Sequence, residues 1–483
     1  MTYSDAPDTG TELPMAGAGI VHIGIGAFHR AHQAVYTHDA MAAEVGDWHI
    51  IGVSLRSTDI VDALNAQGCA FSVIERHPDG PKAHKITSMT HAIAAARDVK
   101  PVIAALADPA IRIVTITVTE KAYGIDRSGK VQRDHAAIKH DLENIDAPSG
   151  LVGILVAGLK RRKDAGLRPF TIVSCDNLPA NGHLLRAGVI DFAQQIDPGL
   201  GQWIAENVSF PSTMVDRITP AATAQTFADA KRLAGHDDPA AIETEPFSQW
   251  VIEDDFPDGR PAWEKAGAIL VKDVEPYELM KLRMLNGSHS LIAYVGQLGG
   301  YRYVRDAMAN DMFAKLIARH MENAAASMPP LPSIDFADYG AELVERFRNP
   351  EIAHETRQIA MDGTEKLPQR IFAPALQMLN APEQLGTFAL CFAAWLAVMR
   401  TRINGADAGE AATTLNDPRA EDIVAALGDV QEAAAIYDRL AHLQGLMPNG
   451  LQESAIWREA VIARLSLLIS DGADLAIAQE LTS

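Results

Sequence analysis

Four side chains able to handle protons and oxygens fall within one short stretch, residues 277–290. They are an amine at Lys281, an amide at Asn286, an imidazole at His289 and a carboxylate at Glu278. Lys281 could move a proton, Asn286 could hold an oxygen and His289 could orient a hydroxyl. Leu, Met, Glu, Lys and Arg dominate the stretch, and no Pro or Gly interrupts it before Gly287, so it is expected to be helical. At about 100° per residue, Lys281, Asn286 and His289 span an arc of about 140°, with Glu278 inside it. Met280, Met284 and Leu291 then fall on the opposite face. A core helix whose polar face meets solvent is the competing reading.

Further polar groups end β-rich runs. Residues 111–119 form the most β-rich run in the chain, and Thr117, Thr119, Glu120 and Lys121 close it. Ser174-Cys-Asp-Asn177 closes a run at 170–174, and Asp216-Arg217 closes one at 213–218. In a doubly wound sheet, ligands bind beyond the carboxyl ends of strands, which would put these residues over a site. Gly24-x-Gly26 follows a β-branched run and opens a helical pattern. In that context glycines let a pyrophosphate approach a helix N-terminus. The third glycine of the usual fingerprint is replaced by His29. Asp59 and Arg56 lie equally close to the end of the second strand, so NAD is favoured mildly and NADP stays open. Asp362-Gly-Thr-Glu-Lys-Leu-Pro-Gln-Arg370 is expected to be a break between helices. Its cations, Lys366 and Arg370, would suit an anionic substrate.

The elements that must position these groups fall into two blocks. Strand-like runs at 20–25, 48–55, 71–74, 111–119, 170–174 and 213–218 alternate with helical patterns at 27–43, 58–66, 99–107, 151–165 and 184–195. That alternation predicts a parallel sheet with helices on both faces, an α/β Rossmann-like dinucleotide-binding domain over 19–275. From about residue 276 to 483 strands vanish and helical stretches follow one another, predicting a mostly α-helical substrate-binding and catalytic domain. Residues 1–18 form a polar N-terminal segment. The helix carrying Lys281 opens the second block, where a cleft between domains is expected.

Composition narrows the function classes. A chain of 483 residues exceeds one ordinary core. The net charge of -20, with no offsetting basic stripe, argues against nucleic-acid or membrane partners but allows a local pocket for a small anion. Three dispersed cysteines, Cys69, Cys175 and Cys391, exclude a disulfide framework and a Cys-rich zinc site, and they point to the cytoplasm. The N-terminus has neither the basic start nor the apolar core of a signal peptide. The longest apolar run, 388–399, is too short to span a bilayer and is expected to be a buried helix. His29, His32, His38 and His49 have no carboxylate or cysteine completing a ligand set, so no metal is expected.

Five motifs carry a resemblance. They are Val21-His-Ile-Gly-Ile-Gly-Ala-Phe-His-Arg-Ala-His-Gln33, Thr117-Val-Thr-Glu-Lys121, Ser174-Cys-Asp-Asn177, Met214-Val-Asp-Arg-Ile-Thr-Pro220 and Lys281-Leu-Arg-Met-Leu-Asn-Gly-Ser-His289. In this order they resemble the mannitol dehydrogenase family of long-chain polyol dehydrogenases, from about Gly19 to the C-terminal helices. The resemblance implies a metal-independent oxidoreductase using NAD, with NADP not excluded. Lys281 would be the general base and Asn177 and Asn286 would hold the reacting oxygen. His289 would position substrate, and Glu278 would pass the proton to water. Asp216, Lys366 and Arg370 would contact substrate; Gly24, Gly26, Phe28, Asp59, Thr117, Thr119 and Glu120 would hold the cofactor. A free lysine has a pKa of about 10.4, so burial or neighbouring cations would have to lower that of Lys281. The implied substrate is a sugar acid (D-fructuronate/D-mannonate) or a neutral pair such as D-fructose/D-mannitol, handled by a monomer or small homo-oligomer. A non-catalytic redox sensor is the reading from another class; an amine aimed at a carbonyl argues against it.

Overall fold

A computed structural model describes residues 17–332, 334–404 and 416–482. The polar N-terminal segment expected over 1–18 therefore lies almost wholly outside the described residues. The chain divides into two compact units, Met1–Glu275 and Pro276–Ser483.

The first unit is built on five parallel strands. In chain order they are β1 (Ala18–Ile23), β2 (His49–Ser54), β5 (Met89–Ala94), β6 (Ile113–Ile116) and β7 (Thr171–Ser174). Their order across the sheet is β5-β2-β1-β6-β7, every neighbouring pair parallel. Counted within the sheet this is 3-2-1-4-5, the doubly wound order that binds dinucleotides where the direction of winding reverses. The reversal falls between β1 and β6. Because side chains alternate along a strand, β1 feeds two apolar cores. Val21 and Ile23 join Leu155, Leu159 and Phe192 on one face, and Ile20 joins Trp250 and Trp263 on the other. Helices cover both faces, which is why these strands are mostly apolar and buried.

Several expectations needed correction. The chain inserts a hairpin between β2 and β5, formed by β3 (Phe71–His77) and β4 (Gly80–Ile86). With β9 (Ile242–Thr244) it makes a separate sheet. β4, Gly-Pro-Lys-Ala-His-Lys-Ile, is largely exposed and has no apolar alternation to betray it. β8 (Thr213–Asp216) does not extend the five-stranded sheet. It pairs antiparallel with β10 (Gln249–Glu253), which pairs in turn with β11 (Ile269–Val271). At the open edge of β7, the Ile172 N–H donates to Ser209 O at 3.0 Å and Thr213 Oγ1 donates to Ser174 O at 2.6 Å. The helix expected over 27–43 breaks at His32 into Ala27–Ala31 and Gln33–Ala43.

The second unit is helical, with no strand among its described residues. Its longest helix, Gly386–Asn404, is also the one helix among the described residues long and apolar enough to cross a membrane. Of its most apolar 18-residue window, 78% is buried. It packs against Gly287–Leu298 and Ala455–Ser470, so it serves as the core helix around which the others are laid.

Candidate functional site

At the switch point of the first unit, Gly24 leaves β1 at φ +107°, a conformation that only glycine adopts without strain. A Cβ there would lie 1.9 Å from Thr117 O, so the turn closes only with glycine. Thr117 Oγ1 donates to Gly24 O at 2.7 Å. With its hydrogen so used, that hydroxyl accepts from His22 Nε2 at 2.9 Å, and Nε2 also lies 3.2 Å from Gly24 O. His22 therefore carries its proton on Nε2 and accepts at Nδ1 from Thr115 Oγ1, 2.7 Å away. Complete burial pushes its pKa down to about 3. His29, in the place of the third glycine, stacks on the His22 ring with centroids 3.4 Å apart. The close strand–helix contact that a glycine normally allows is made here by two neutral imidazoles.

Gly26 opens the short helix Ala27–Ala31, and a Cβ added to it would meet only Gly24 O, at 4.0 Å. The backbone there is open to a close ligand, as a dinucleotide requires. Phe28 stacks on His32 at 5.0 Å and is half-buried; Thr119, Glu120 and Asp59 are exposed. Asp59 begins the helix Asp59–Ala66, with Thr58 Oγ1 3.4 Å from its carboxylate. The four histidines weighed as metal ligands have separate partners. His32 Nε2 meets Gln249 O, His38 Nδ1 meets Thr87, His49 Nδ1 meets Gly17 O, and His29 stacks as described.

Beyond β7, Asp176 ties the switch-point loop down. It accepts from Val118 N–H at 2.8 Å and from the Tyr123 hydroxyl at 2.5 Å, beside the exposed Asn177. Burial raises its pKa from 3.8 to about 7, against the opposing effect of these hydrogen bonds. A raised carboxyl pKa stabilises the fold below the unfolded value. That stabilisation is lost as pH rises through about 7. Asp176→Asn keeps the Val118 contact and removes the buried charge. We expect it to match or exceed the wild-type Tm at pH 8 and to flatten the fall in Tm between pH 5 and 8. An unchanged slope of Tm against pH would refute this assignment. Asp216 ends β8 at 7% exposure. Its neighbour Arg217 is buried and donates to Ala31 O and Glu75 Oε1, both at 2.6 Å.

In the second unit the stretch around Lys281 is not an ideal helix. A short α-helix, Glu275–Met280, passes into a π-helical turn, Lys281–Asn286, and then into Gly287–Leu298. The Gly287 N–H reaches Leu282 O, the five-residue bond of a π turn. The wider turn narrows the angle between Lys281 and Asn286, which an α-helix would set at about 140°. The expected apolar face is buried, with Met280, Met284 and Leu291 at 1% exposure or less. The polar face does not simply meet solvent: Lys281 and His289 are each 8% exposed, and Glu278 and Asn286 are half-buried. Burial drives the His289 pKa well below the usual value, and His354, Arg346, Arg370 and Lys281 push the same way. The ring is neutral at pH 7. It packs on Phe347 at 4.7 Å and edge-on to His354 at 5.2 Å, and its buried Nε2 has no partner among the described residues.

The expected break at 362–370 is instead helical. Gly363–Leu367 runs into a second π turn, Pro368–Phe372, because proline lacks the N–H that an α-turn would use. Asp362 enters it at φ 57°. Lys366 Nζ donates to Met361 O at 2.6 Å and pairs with Asp362 at 3.6 Å. Arg370 Nη1 reaches Ser290 Oγ at 3.3 Å and Asn286 O at 3.4 Å, so it also braces the end of the Lys281 turn. His354 and Arg346 carry no signal in the sequence; they lie far along the chain from Lys281 and follow no spacing that marks them. His354 is held below its usual pKa by burial, then by Arg346 and Lys366. Two neutral imidazoles thus sit among Lys281, Arg346, Lys366 and Arg370.

Comparison with known proteins bears on both units. The profile of the mannitol dehydrogenase Rossmann domain matches residues 18–265, and that of the mannitol dehydrogenase C-terminal domain matches 273–453. The chain is 41% identical over 465 residues to the D-mannonate oxidoreductase of Escherichia coli strain K12, covering 95% of each chain. It is 43% identical over 366 residues to a mannitol 2-dehydrogenase of Cereibacter sphaeroides, covering 74% of this chain and 76% of that one. Among solved structures, a Pseudomonas fluorescens mannitol 2-dehydrogenase in ternary complex with NAD and D-mannitol superposes with a TM-score of 0.78 at 36% identity. The match covers 96% of this chain and 94% of that one.

Proposed function

The chain belongs to the mannitol dehydrogenase family of oxidoreductases, and we propose that it interconverts D-fructuronate and D-mannonate with NAD, without a metal. The observation that carries the choice of a sugar acid is the cationic setting of His289 and His354. Arg346, Lys366 and Arg370 concentrate positive charge in a chain whose net charge is -20. A substrate carboxylate uses that field; a neutral sugar has no charge to set against it.

NAD, held at the Gly24–Gly26 turn, supplies the hydride acceptor. The remaining chemistry belongs to side chains. Lys281 takes the hydroxyl proton on oxidation and returns it on reduction. That role needs the neutral amine, and Lys281 is 8% exposed. Asn286, at the other end of the π turn from Lys281, holds the oxygen as it gains charge. His289 stays neutral and offers Nε2 to a substrate hydroxyl. Glu278, three residues before the lysine, passes its proton towards water. From the first unit we assign Asn177 to the reacting oxygen and Asp216 to substrate, with Phe28, Asp59, Thr117, Thr119 and Glu120 to the cofactor.

Initial rates on fructuronate and on fructose, each with NADH and NADPH, test the proposal. Fructuronate with NADH is expected to be fastest. A preference for fructose would transfer the reading to a mannitol 2-dehydrogenase, and no turnover in any combination would favour a redox sensor. Arg370→Ala is expected to slow both sugars, because Arg370 braces Asn286. The acid should lose at least about tenfold more, one charge-assisted contact being worth about 1.5–3 kcal/mol. Equal losses would remove Arg370 from carboxylate binding.

A further inference from the structure

We propose that Arg283 is the positioning residue that keeps residues 281–286 in a π turn and thereby sets the angle between Lys281 and Asn286. The inference rests on the catalytic assignment just made and adds a residue that neither touches substrate nor carries a proton.

Arg283 is 3% exposed. Its Nη1 shares its two hydrogens among three acceptors: Ser327 O at 2.6 Å, Ser327 Oγ at 2.8 Å and Gln377 Oε1 at 2.6 Å. Ser327 is the C-cap of the helix Asp311–Ala326, and Gln377 ends the helix Ala373–Gln377. One side chain therefore ties the middle of the turn to two other helices. Its Nε is buried without a partner among the described residues, and burial alone holds its pKa below the usual value. A buried guanidinium held by neutral acceptors rather than by a carboxylate costs stability. What it fixes in return is the rotation of the segment between Lys281 and Asn286. Further along, a Cβ on Gly287 would lie 3.0 Å from His320 Nε2 and 3.4 Å from Arg370 O, so the end of the turn is wedged as well.

An isolated π turn is less favourable than an α-helix and persists where tertiary contacts demand it. Without Arg283 the segment can relax by one residue per turn. Asn286 would then rotate away from Lys281, and a displacement of about 1 Å costs on the order of 10²-fold in rate. All three acceptors converge on one nitrogen, so a lysine ammonium with its three donors can replace the guanidinium head.

The experiment compares wild type, Arg283→Met, Arg283→Lys and Gln377→Leu by kcat/KM, NADH affinity, Tm and amide exchange over 281–291. Arg283→Met is expected to lose about 100-fold in kcat/KM with NADH affinity unchanged and exchange accelerated across the turn. Arg283→Lys should recover most of the rate. Wild-type turnover in a folded Arg283→Met overturns the proposal, as does an Arg283→Lys no better than Arg283→Met. Should Arg283→Met fail to fold, Gln377→Leu decides, since Gln377 is exposed. A several-fold loss of kcat/KM at wild-type Tm supports the anchor, and an unchanged rate overturns it. If wild type turns over neither sugar, the catalytic assignment falls separately. The anchor is then judged by exchange alone, and unaltered protection in Arg283→Met overturns it.

Discussion

Lys281→Ala is expected to lower turnover by about 10² to 10⁴-fold while NADH still binds, the range that loss of a positioned general acid–base covers. The amine is nearly buried, on the first residue of a π turn that ends at Asn286. Removing it deletes the proposed proton acceptor and changes no residue of the Gly24–Gly26 turn. The pH profile gives the sign. Oxidation needs the neutral amine, so its kcat/KM rises with pH until the lysine has lost its proton, and reduction needs the ammonium, so its rate falls over the same interval. Both slopes should disappear in Lys281→Ala. Truncation also leaves room for a small primary amine, and added ethylamine should restore part of the rate in proportion to its neutral fraction. Near-normal turnover in the variant would remove Lys281 from the role of base. Loss of NADH binding alongside turnover would show a folding defect instead.

Legibility in the sequence follows the physics of each element. β1 and β6 are readable because both faces are buried, leaving β-branched, mostly apolar runs such as Ile113–Ile116. Gly24 is readable because a glycine between strand and helix has few other uses. β4 is not, since an exposed edge strand needs no apolar pattern. Asp216 is recognisable as a strand end, but its strand belongs to another sheet, and pairing partners are not written in one strand's composition. The π turns are invisible for a different reason. Leu, Met and Arg favour helix without specifying a five-residue bond, and the Arg283 contacts proposed to hold the 281–286 turn come from the distant Ser327 and Gln377. The same distance hides Arg346 and His354. Lys281, Asn286 and His289 stand out by residue type, yet the angle between the first two departs from the ideal-helix value because the turn between them is wider.

Gly24→Ala is expected to cost roughly 2–5 kcal/mol of stability and to weaken NADH binding by more than about 100-fold. The lower part of the energy comes from forcing an L-residue to positive φ, about 1–2 kcal/mol, and the rest from overpacking, about 1–3 kcal/mol. The clash is with backbone, Thr117 O at 1.9 Å and its carbonyl carbon at 2.7 Å, so no rotamer relieves it. Nor can either strand end swing aside cheaply. Gly24 N–H is bonded to Val53 O at 2.7 Å, and Thr117 N–H to Ile23 O at 2.9 Å. Relief requires β1 and β6 to part at the point where the sheet reverses its winding, which is where a pyrophosphate would be received. Gly26→Ala is the control that separates fold from binding. Its Cβ meets nothing nearer than Gly24 O at 4.0 Å, so stability should change by less than about 1 kcal/mol. NADH affinity should still fall, because the new methyl occupies the approach to the helix N-terminus. Denaturant unfolding and NADH fluorescence titration of both variants measure the two quantities independently. A Gly24→Ala protein as stable as wild type would contradict the close approach of Thr117, and a Gly26→Ala protein with undiminished NADH affinity would move the pyrophosphate away from this turn.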